Sequence, residues 1–440
     1  MKKSVIGVLI VLAVVVLISP AIVGRMAEKS MDENLNWAAQ EAGDVRVTSE
    51  NFSRGWFSSE GQHRVEIQDG EFLAAIQAMS GPVPADELPV LVINTKLDHG
   101  LIPVTSMSRE KGSLVPGLGS AASTLAIEMP DGESIELPGT IYSKVGLGGE
   151  LLSNYVLSPG SRTEGDMTAS WGTTDIEIET DPKSGDVAYS GVINSLSILG
   201  GDESISLGNF EFEGEQRPSK YGFYTGELAM ELSDFEIAGS SAMPVGGFDS
   251  MSLDASTRLD GDEVNTDAKM SMAMKGLPQF GTMSFDLDFE LNGADAEALG
   301  RMQQALDDMG GSADPMTTYS AVQDDLMQLF AAGFDLNFEK LDIALPQGTI
   351  SSKMLFSFSE EDPATFAWTS LLLNTEASID LSIPASLVDM MVQTEPNAAM
   401  AIGAGYLVKR GDAYEMSAEM KKGLLTVNGA PIPIPFGAMR

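Results

Sequence analysis

The residues of this 440-residue chain best suited to acid–base chemistry are its two histidines, His63 and His99. His99 follows Asp98 in the sequence "LDHG", and a hydrolase would use such a pair to activate a serine. Serines are abundant, but the chain has no G-x-S-x-G turn to expose a nucleophile. Adjacent residues of a strand point to opposite faces, so Asp98 could orient His99 only from a turn. We therefore predict no catalytic residue, with a hydrolase that uses His99 as the alternative.

Metal and phosphate chemistry have little support among the residue types. Zinc sites use three or four Cys, His or carboxylate ligands, whereas this chain has no cysteine and two distant histidines. It has no D-x-D-x-D-G sequence for a calcium loop. The glycine-rich residues 115–119 and 145–149 lack the lysine and hydroxyl residue of a phosphate loop. We predict no metal and no cofactor.

The charge of the chain argues against nucleic acid as a partner. Lys and Arg number 26 against 64 Asp and Glu, which gives a formal net charge of −38. Phosphate contacts need clustered Lys and Arg. The negative net charge would also repel the folded body from anionic lipid headgroups. The carboxylates are spread along the chain, which indicates a solvated surface; an acidic binding site is the alternative. Without cysteine, disulfides and thiolate chemistry are excluded.

Residues 1–25 predict a signal anchor, that is, a transmembrane helix. Lys2 and Lys3 precede an apolar run over residues 5–23, close to the ~20 residues that cross a bilayer as a helix. The alternative is a cleaved signal peptide, but its apolar core would be shorter and followed by a small-x-small site. The two lysines place the N-terminus in the cytoplasm. In a bacterium this predicts a single-pass inner-membrane protein with a periplasmic body.

Residues 26–43 follow the anchor with helical spacing. Met31, Leu35, Ala38 and Ala42 recur at the intervals of one helix face. This juxtamembrane helix either continues from the membrane or packs on the body as an ordinary amphipathic helix.

Residues 44–292 predict an antiparallel β-rich region, because apolar and polar residues alternate there. In residues 283–291, Met, Phe and Leu alternate with Ser, Asp and Glu. Other such segments, including two beyond this region, are residues 56–67, 174–180, 209–215, 376–383 and 414–420. Short turns rich in Gly and Asp separate the strands, at residues 130–133, 181–186 and 259–263. Such turns favour meanders rather than βαβ units.

Residues 293–440 predict a helical hairpin plus closing strands. Helical spacing covers residues 294–309, 315–333, 384–394 and 396 to about 408. The predicted fold is mainly β (α+β), with an extended antiparallel meander sheet, curved or sandwich-like, an N-terminal transmembrane helix and a few helices in the C-terminal third. The helices are too few to cover the dry side of the sheet, so the sheet either closes on itself or forms an apolar groove. The 25 methionines are interpreted as adaptable core filling, with a methionine-rich binding surface as the alternative.

The stretch "NFSRGWFSSE", residues 51–60, is interpreted as the joint where the chain passes from the anchor into the sheet, with a bend or bulge at Arg54 and Gly55. Together with "LDHGLIPV" (97–104) and "KKGLLTVNGAPIPI" (421–434), it resembles the YdgA-like family of bacterial inner-membrane-anchored envelope proteins, a domain of unknown function. The resemblance implies a membrane anchor, a periplasmic body and no established catalytic residues. The motif residues of structural importance are Asn51, Phe52, Arg54, Gly55, Phe57, Ser58, Asp98, His99 and Gly100.

Two functions agree best with these patterns. The first is a non-enzymatic structural or interaction module of the envelope, which contacts the inner membrane through residues 5–23 and acts on an envelope protein partner or on a second copy of itself. The alternative is a carrier that holds lipid or another apolar ligand along the dry face of a curved sheet.

Overall fold

The computed structural model describes residues 45–54, 58–68, 88–99, 119–130, 132–145, 150–181, 183–201, 203–238, 246–277, 281–309 and 315–433. In this part of the chain the protein is mainly β, with 22 strands and five helices. None of these helices is long and apolar enough to cross a membrane. The predicted anchor (5–23) and juxtamembrane helix (26–43) lie outside the described residues.

The chain divides into two compact units. The first contains the described residues up to Gly200 together with Asn209–Pro218. The second contains the described residues of Gly201–Gly208 and those from Ser219 onward.

The first unit is an antiparallel meander. Its strands are β1 (Val45–Arg54), β2 (Ser58–Ile67), β3 (Val90–His99), β4 (Gly119–Glu128), β5 (Ser134–Val145), β6 (Leu151–Leu157), β7 (Gly160–Glu164), β8 (Met167–Trp171), β9 (Thr174–Asp181), β10 (Asp186–Gly200) and the part of β11 (Glu203–Pro218) that belongs to it. From β1 to β6 each strand pairs with the next; β6 then pairs with β9, and β9 with β10. The alternation predicted for residues 174–180 is confirmed, since β9 alternates strictly between buried and exposed side chains.

Strands β6 to β10 share an interruption at one level, which we call the shared break. β6 and β7 pair with β9 and β8 in a single register on either side of residues 158–159. β8 and β9 likewise pair with β10 on either side of residues 172–173. At this level a Cβ on Gly172 would lie 1.5 Å from the carbonyl oxygen of Asn194, and Ser195 has a φ of 73°. Only glycine fits at position 172 without moving the neighbouring strand.

The apolar side of the first sheet forms a dry core. Val65, Leu91, Leu125 and Ile127 come from three successive strands, β2 to β4, and are each less than 5% exposed. Tyr155 is buried beside them; its hydroxyl donates to the carbonyl oxygen of Pro138 at 2.8 Å, and burial raises its pKa to about 12. The alternating pattern therefore places one side of these strands in a closed interior.

The second unit is also an antiparallel meander. Its complete strands are β12 (Tyr224–Ala238), β13 (Gly246–Asp260), β14 (Glu263–Leu277), β15 (Gly281–Asp295), β16 (Phe334–Leu345), β17 (Gly348–Phe358), β18 (Thr375–Pro384), β19 (Val408–Arg410), β20 (Ala413–Lys421), β21 (Leu424–Val427) and β22 (Ala430–Ile432). Each strand from β12 to β18 pairs with the next, and β18 pairs with β20. In neither unit do the described strands close into a ring.

Five helices interrupt the second meander. They are α1 (Ala296–Met309), α2 (Pro315–Ala332), α3 (Trp368–Asn374), α4 (Ala385–Thr394) and α5 (Pro396–Gly403). The helical hairpin α1–α2 and helix α4 agree with the sequence prediction. Helix α5 ends five residues before the predicted limit, because Gly405 takes a φ of 77° that continues no right-handed helix. Helix α3 was not predicted.

Candidate functional site

The two halves of the sequence motif meet at one end of the first sheet. Ser58, the first residue of β2, lies opposite Asp98 in the β2–β3 register. Asp98 and His99 in turn lie opposite Ser120 and Gly119 of β4. The meander thus brings together residues forty positions apart in sequence. Asp98 and His99 form the end of strand β3 and not a turn.

The motif contains a bulge at Asn51 and Phe52, while the bend predicted at Arg54 and Gly55 reaches outside the described residues. The β1–β2 register shifts between Glu50 and Ser53, at Asn51 and Phe52, and Arg54 then pairs with Ser59. The remaining motif residues Gly55, Phe57 and Gly100 lie outside the described residues. His63 is 3% exposed and shares its buried strand side with Val65 and Ile67, as the alternation predicts.

Metal ligands do not gather in the described part of the chain: nowhere in it do three His, Asp or Glu side chains cluster around a common point. A depression of about 560 Å³ lies on the polar side of the second sheet. Two of its cations, Lys353 and Arg410, are paired with Glu339 and Glu415. These two cations are therefore already paired.

A second depression, of about 510 Å³, lies in the first unit beside the shared break. The indole Nε1 of Trp171 donates to the carbonyl oxygen of Ser158 at 3.1 Å. The amide of Asn154 donates to Asp175 at 2.6 Å. These polar groups hold the strands together and are already bonded.

The largest chemical feature is an apolar surface on one side of the second sheet. The strand register stacks apolar side chains in rows across the strands: Met272 lies between Met251 and Phe285. We call this surface the open apolar face. Its members are Met230, Leu232, Met251, Leu253, Met270, Met272, Phe285, Leu287, Phe289, Phe338, Leu341, Ile343, Met354 and Ile379.

Every member of the open apolar face is partly buried, and none is fully buried. A second sheet or a layer of helices over these side chains would remove them from water. These side chains contact their neighbours within the sheet; the rings of Phe289 and Phe338, for example, are 5.3 Å apart. The middle of this face is therefore accessible to a ligand.

The opposite side of the same strands is polar and charged. Lys269 bridges to Asp288 at 3.4 Å, and Lys340 bridges to Asp286 at 3.1 Å. The Ser271 hydroxyl donates to Asp286 at 2.7 Å; this hydrogen bond and the nearby Lys340 lower the pKa of the Asp286 carboxyl. The two sides of the sheet therefore differ sharply in the ligands they can accept.

Helices α1 and α2 cover one end of these strands. Val264, Ala294, Ala296 and Leu329 are buried there in one cluster. The fit is close, since a Cβ on Gly300 would lie 2.2 Å from the carbonyl oxygen of Tyr221.

One arginine fastens α1 to α2. Arg301 donates to Asp325, Glu297 and Gln328, each at 2.6 Å. The hydrogen bond with Asp325 raises the pKa of this guanidinium.

Helix α4 packs against β18 and β20 at the opposite end of the sheet. Its Val388 is 1% exposed and packs with Tyr414 of β20, against which Ile383 of β18 also rests. The described contacts of α1, α2 and α4 thus lie at strand ends, and the members of the open apolar face stay partly buried between them.

A family described as "Bacterial protein of unknown function (DUF945)" matches residues 1–435, and the chain belongs to this family. The match agrees with the resemblance drawn from the sequence at the level of a bacterial domain of unknown function. Among curated proteins and among solved structures, nothing matches the chain.

Proposed function

We propose that the protein is a non-enzymatic, membrane-anchored envelope protein that holds the acyl chains of a lipid on the open apolar face. The observation that carries the proposal is a broad apolar surface along long strands whose members are all only partly buried. Exposed apolar surface costs about 25 cal/mol per Å² relative to burial. Contiguous surfaces of this kind mark sites for apolar ligands or partners.

The dimensions suit an acyl chain. Met283 and Phe289 lie on the same side of β15, and six residues of strand extend about 20 Å at the usual rise. One leaflet of a bilayer contributes about 15 Å of hydrocarbon, half of the full core. The face also extends across successive strands from β12 to β18, so more than one chain could lie side by side.

A lipid fits this face better than a second copy of the protein. Two copies would each bring a formal net charge of −38, and such charges repel on approach. Hydrocarbon brings no charge, and the methionines of the face adapt to chains of irregular shape. The apolar run over residues 5–23 would keep the protein beside a supply of lipid.

The anchor and the compartment belong to the same proposal. In this proposal residues 1–25 serve as a single-pass anchor and the body lies in the periplasm. The proposal also includes the curvature of the sheet and the relationship to the YdgA-like family that the sequence predicts. The positive residues Lys2 and Lys3 support this orientation. A C-terminal alkaline phosphatase fusion is expected to be active; activity of a cytoplasmic reporter at the same position would overturn the orientation.

The lipid site can be tested by photo-crosslinking. The full chain is reconstituted with vesicles containing a phospholipid that carries a diazirine on its acyl chain, and adducts are mapped by mass spectrometry. We expect adducts on β13 to β16. Met272→Asp should reduce them several-fold, because a charge on the face opposes contact with hydrocarbon.

Ala273→Asp is the matched control. Ala273 follows Met272 on the same strand but lies opposite Ser284 on the polar side. This variant should keep the adducts. Wild-type protein without adducts on these strands, or with crosslinks to a second copy instead, would overturn the proposal.

A further inference from the structure

The segment from Met390 to Val408 is apolar on its outside. Within the described residues fourteen large hydrophobic side chains are exposed, and six of them lie in this segment. Met390 is 48% exposed and Met400 is 63% exposed. Charged residues make up 20% of the whole chain, yet Glu395 is the one charged residue in this stretch. Such a surface departs from the acidic exterior of the protein.

The core does not require these exposed side chains. Ala385, Leu387 and Val388 form the buried side of α4, while Ile402 and Leu407 pack against the same cluster. Helix α5 itself has no buried residue. The outward side chains thus contribute little to folding, and an exposed apolar surface of this kind indicates an interaction site. We call them the helical patch, and they are Met390, Met391, Val392, Met400, Tyr406 and Val408.

We propose that the helical patch inserts into the interface of a zwitterionic bilayer. Helices that lie in a membrane interface bury one apolar side to a shallow depth and keep polar groups at the rim. Tyr406 supplies an aromatic side chain of the kind enriched at that depth. Lys409 and Arg410 follow directly and are exposed, so their stems can extend toward headgroups.

The charges around the patch favour neutral headgroups. Lys409 pairs with Asp389 at 3.7 Å, and Arg410 pairs with Glu415 at 3.3 Å. The rim therefore offers no surplus of positive charge to anionic lipid. A second copy of the chain is a poorer partner, because each copy carries a net charge of −38.

The patch lies beside the proposed lipid site. Helix α4 rests on Ile383 and Tyr414, which continue the apolar side of β18 and β20 from Ile379. An acyl chain that leaves the bilayer at the patch would meet this surface next. This step rests on the proposed function, whereas insertion of the patch stands on its own surface.

Site-specific fluorescence tests the insertion. The chain has no cysteine, so Met400→Cys provides a single labelling site for an environment-sensitive dye. The labelled full chain is reconstituted with phosphatidylcholine vesicles that carry a quencher on their acyl chains. Met316→Cys is the control, because Met316 is 72% exposed at the start of α2 and lies outside the patch. We expect several-fold stronger quenching at position 400 than at position 316.

Each result separates the two proposals. Equal quenching at both positions, or a blue shift at position 400 that depends on protein concentration without quenching, would overturn membrane insertion. Met400→Asp should abolish insertion while photo-adducts on β13 to β16 persist at a reduced rate. Loss of adducts with insertion intact would overturn the lipid site alone.

Discussion

The two units are built from the same kind of alternating strand but differ in how deeply the apolar side chains are buried. In the first, Val65 and Ile127 are 3% and 1% exposed. In the second, Met272 and its apolar neighbours along the strands are only partly buried. Alternation thus decides that a sheet has an apolar side, whereas the layers packed on it decide whether that side becomes a core or a surface.

Polar side chains mark the same difference. On the covered side of the first sheet, the hydroxyl groups of Thr95 and Ser123 lie 2.8 Å apart, as do those of Ser143 and Ser153. A covered side demands such pairing, because an unpaired polar group away from water is costly. The ion pairs of the second sheet instead lie on its solvated side.

A charge placed on each apolar side should give the largest contrast. Ile127→Asp puts a carboxylate into the closed core, which costs several kcal/mol, and we expect the first unit to unfold. Met272→Asp should cost about 1 kcal/mol, since water still reaches that side chain. Hydrogen–deuterium exchange followed by mass spectrometry reports each unit separately. Equal loss of protection in both variants would mean that the open apolar face is in fact covered.

A methyl group added to a helix glycine sharpens the contrast within the second unit. Alanine usually stabilises a helix by about 1 kcal/mol relative to glycine. At Gly300 the added Cβ meets the Tyr221 carbonyl, so Gly300→Ala should destabilise the α1–α2 end by about 1–3 kcal/mol. In helix α5, a Cβ on Gly403 would meet nothing within 4 Å, so Gly403→Ala should be neutral or stabilising. Urea unfolding checks both signs; a stabilising Gly300→Ala would show that this end is loosely packed.

Acid should produce the smallest effect, on the polar side of the second sheet. Because the folded pKa of Asp286 is lowered, its stabilisation is present above the ordinary pKa of about 4 and is lost as pH falls through the folded value. The side chain is 35% exposed, so solvent screening keeps the contribution below about 1 kcal/mol.

Two variants isolate this contribution. Asp286→Asn should flatten the pH dependence of second-unit stability below about pH 4. Ser271→Ala should flatten it in part, because the hydrogen bond from Ser271 is the larger cause of the lowered pKa. Urea unfolding midpoints across that pH range measure the change. An unaltered dependence in both would assign the acid response to other carboxylates.

Much of the fold was predictable from local sequence. The turns at residues 181–186 and 259–263 separate β9 from β10 and β13 from β14, as expected. Asn428 and Gly429, with φ values of 50° and 79°, form the tight hairpin turn that their sequence favours. These features depend on neighbours along the chain, and alternation or turn chemistry records them.

Features that depend on distant contacts were not predictable. Helix α3, residues 368–374, has no clear period, and its Trp368 is instead held by the rings of Phe330 and Phe366. Likewise, the sequence predicts an apolar side on β14 but not whether helices cover it. The helical patch had a local signal, because its stretch of sequence contains one charged residue. Helical spacing alone does not distinguish its exposed apolar residues from core residues.

The meander of the second unit also makes the protein extensible. From β13 to β17 each strand bonds to its predecessor and its successor, so this part of the sheet behaves as a nearly one-dimensional stack of hairpins. Insertion or deletion of one hairpin would keep the remaining registers and sidedness, and would change the width by about 10 Å. Evolution or protein engineering can therefore adjust the capacity of the sheet two strands at a time.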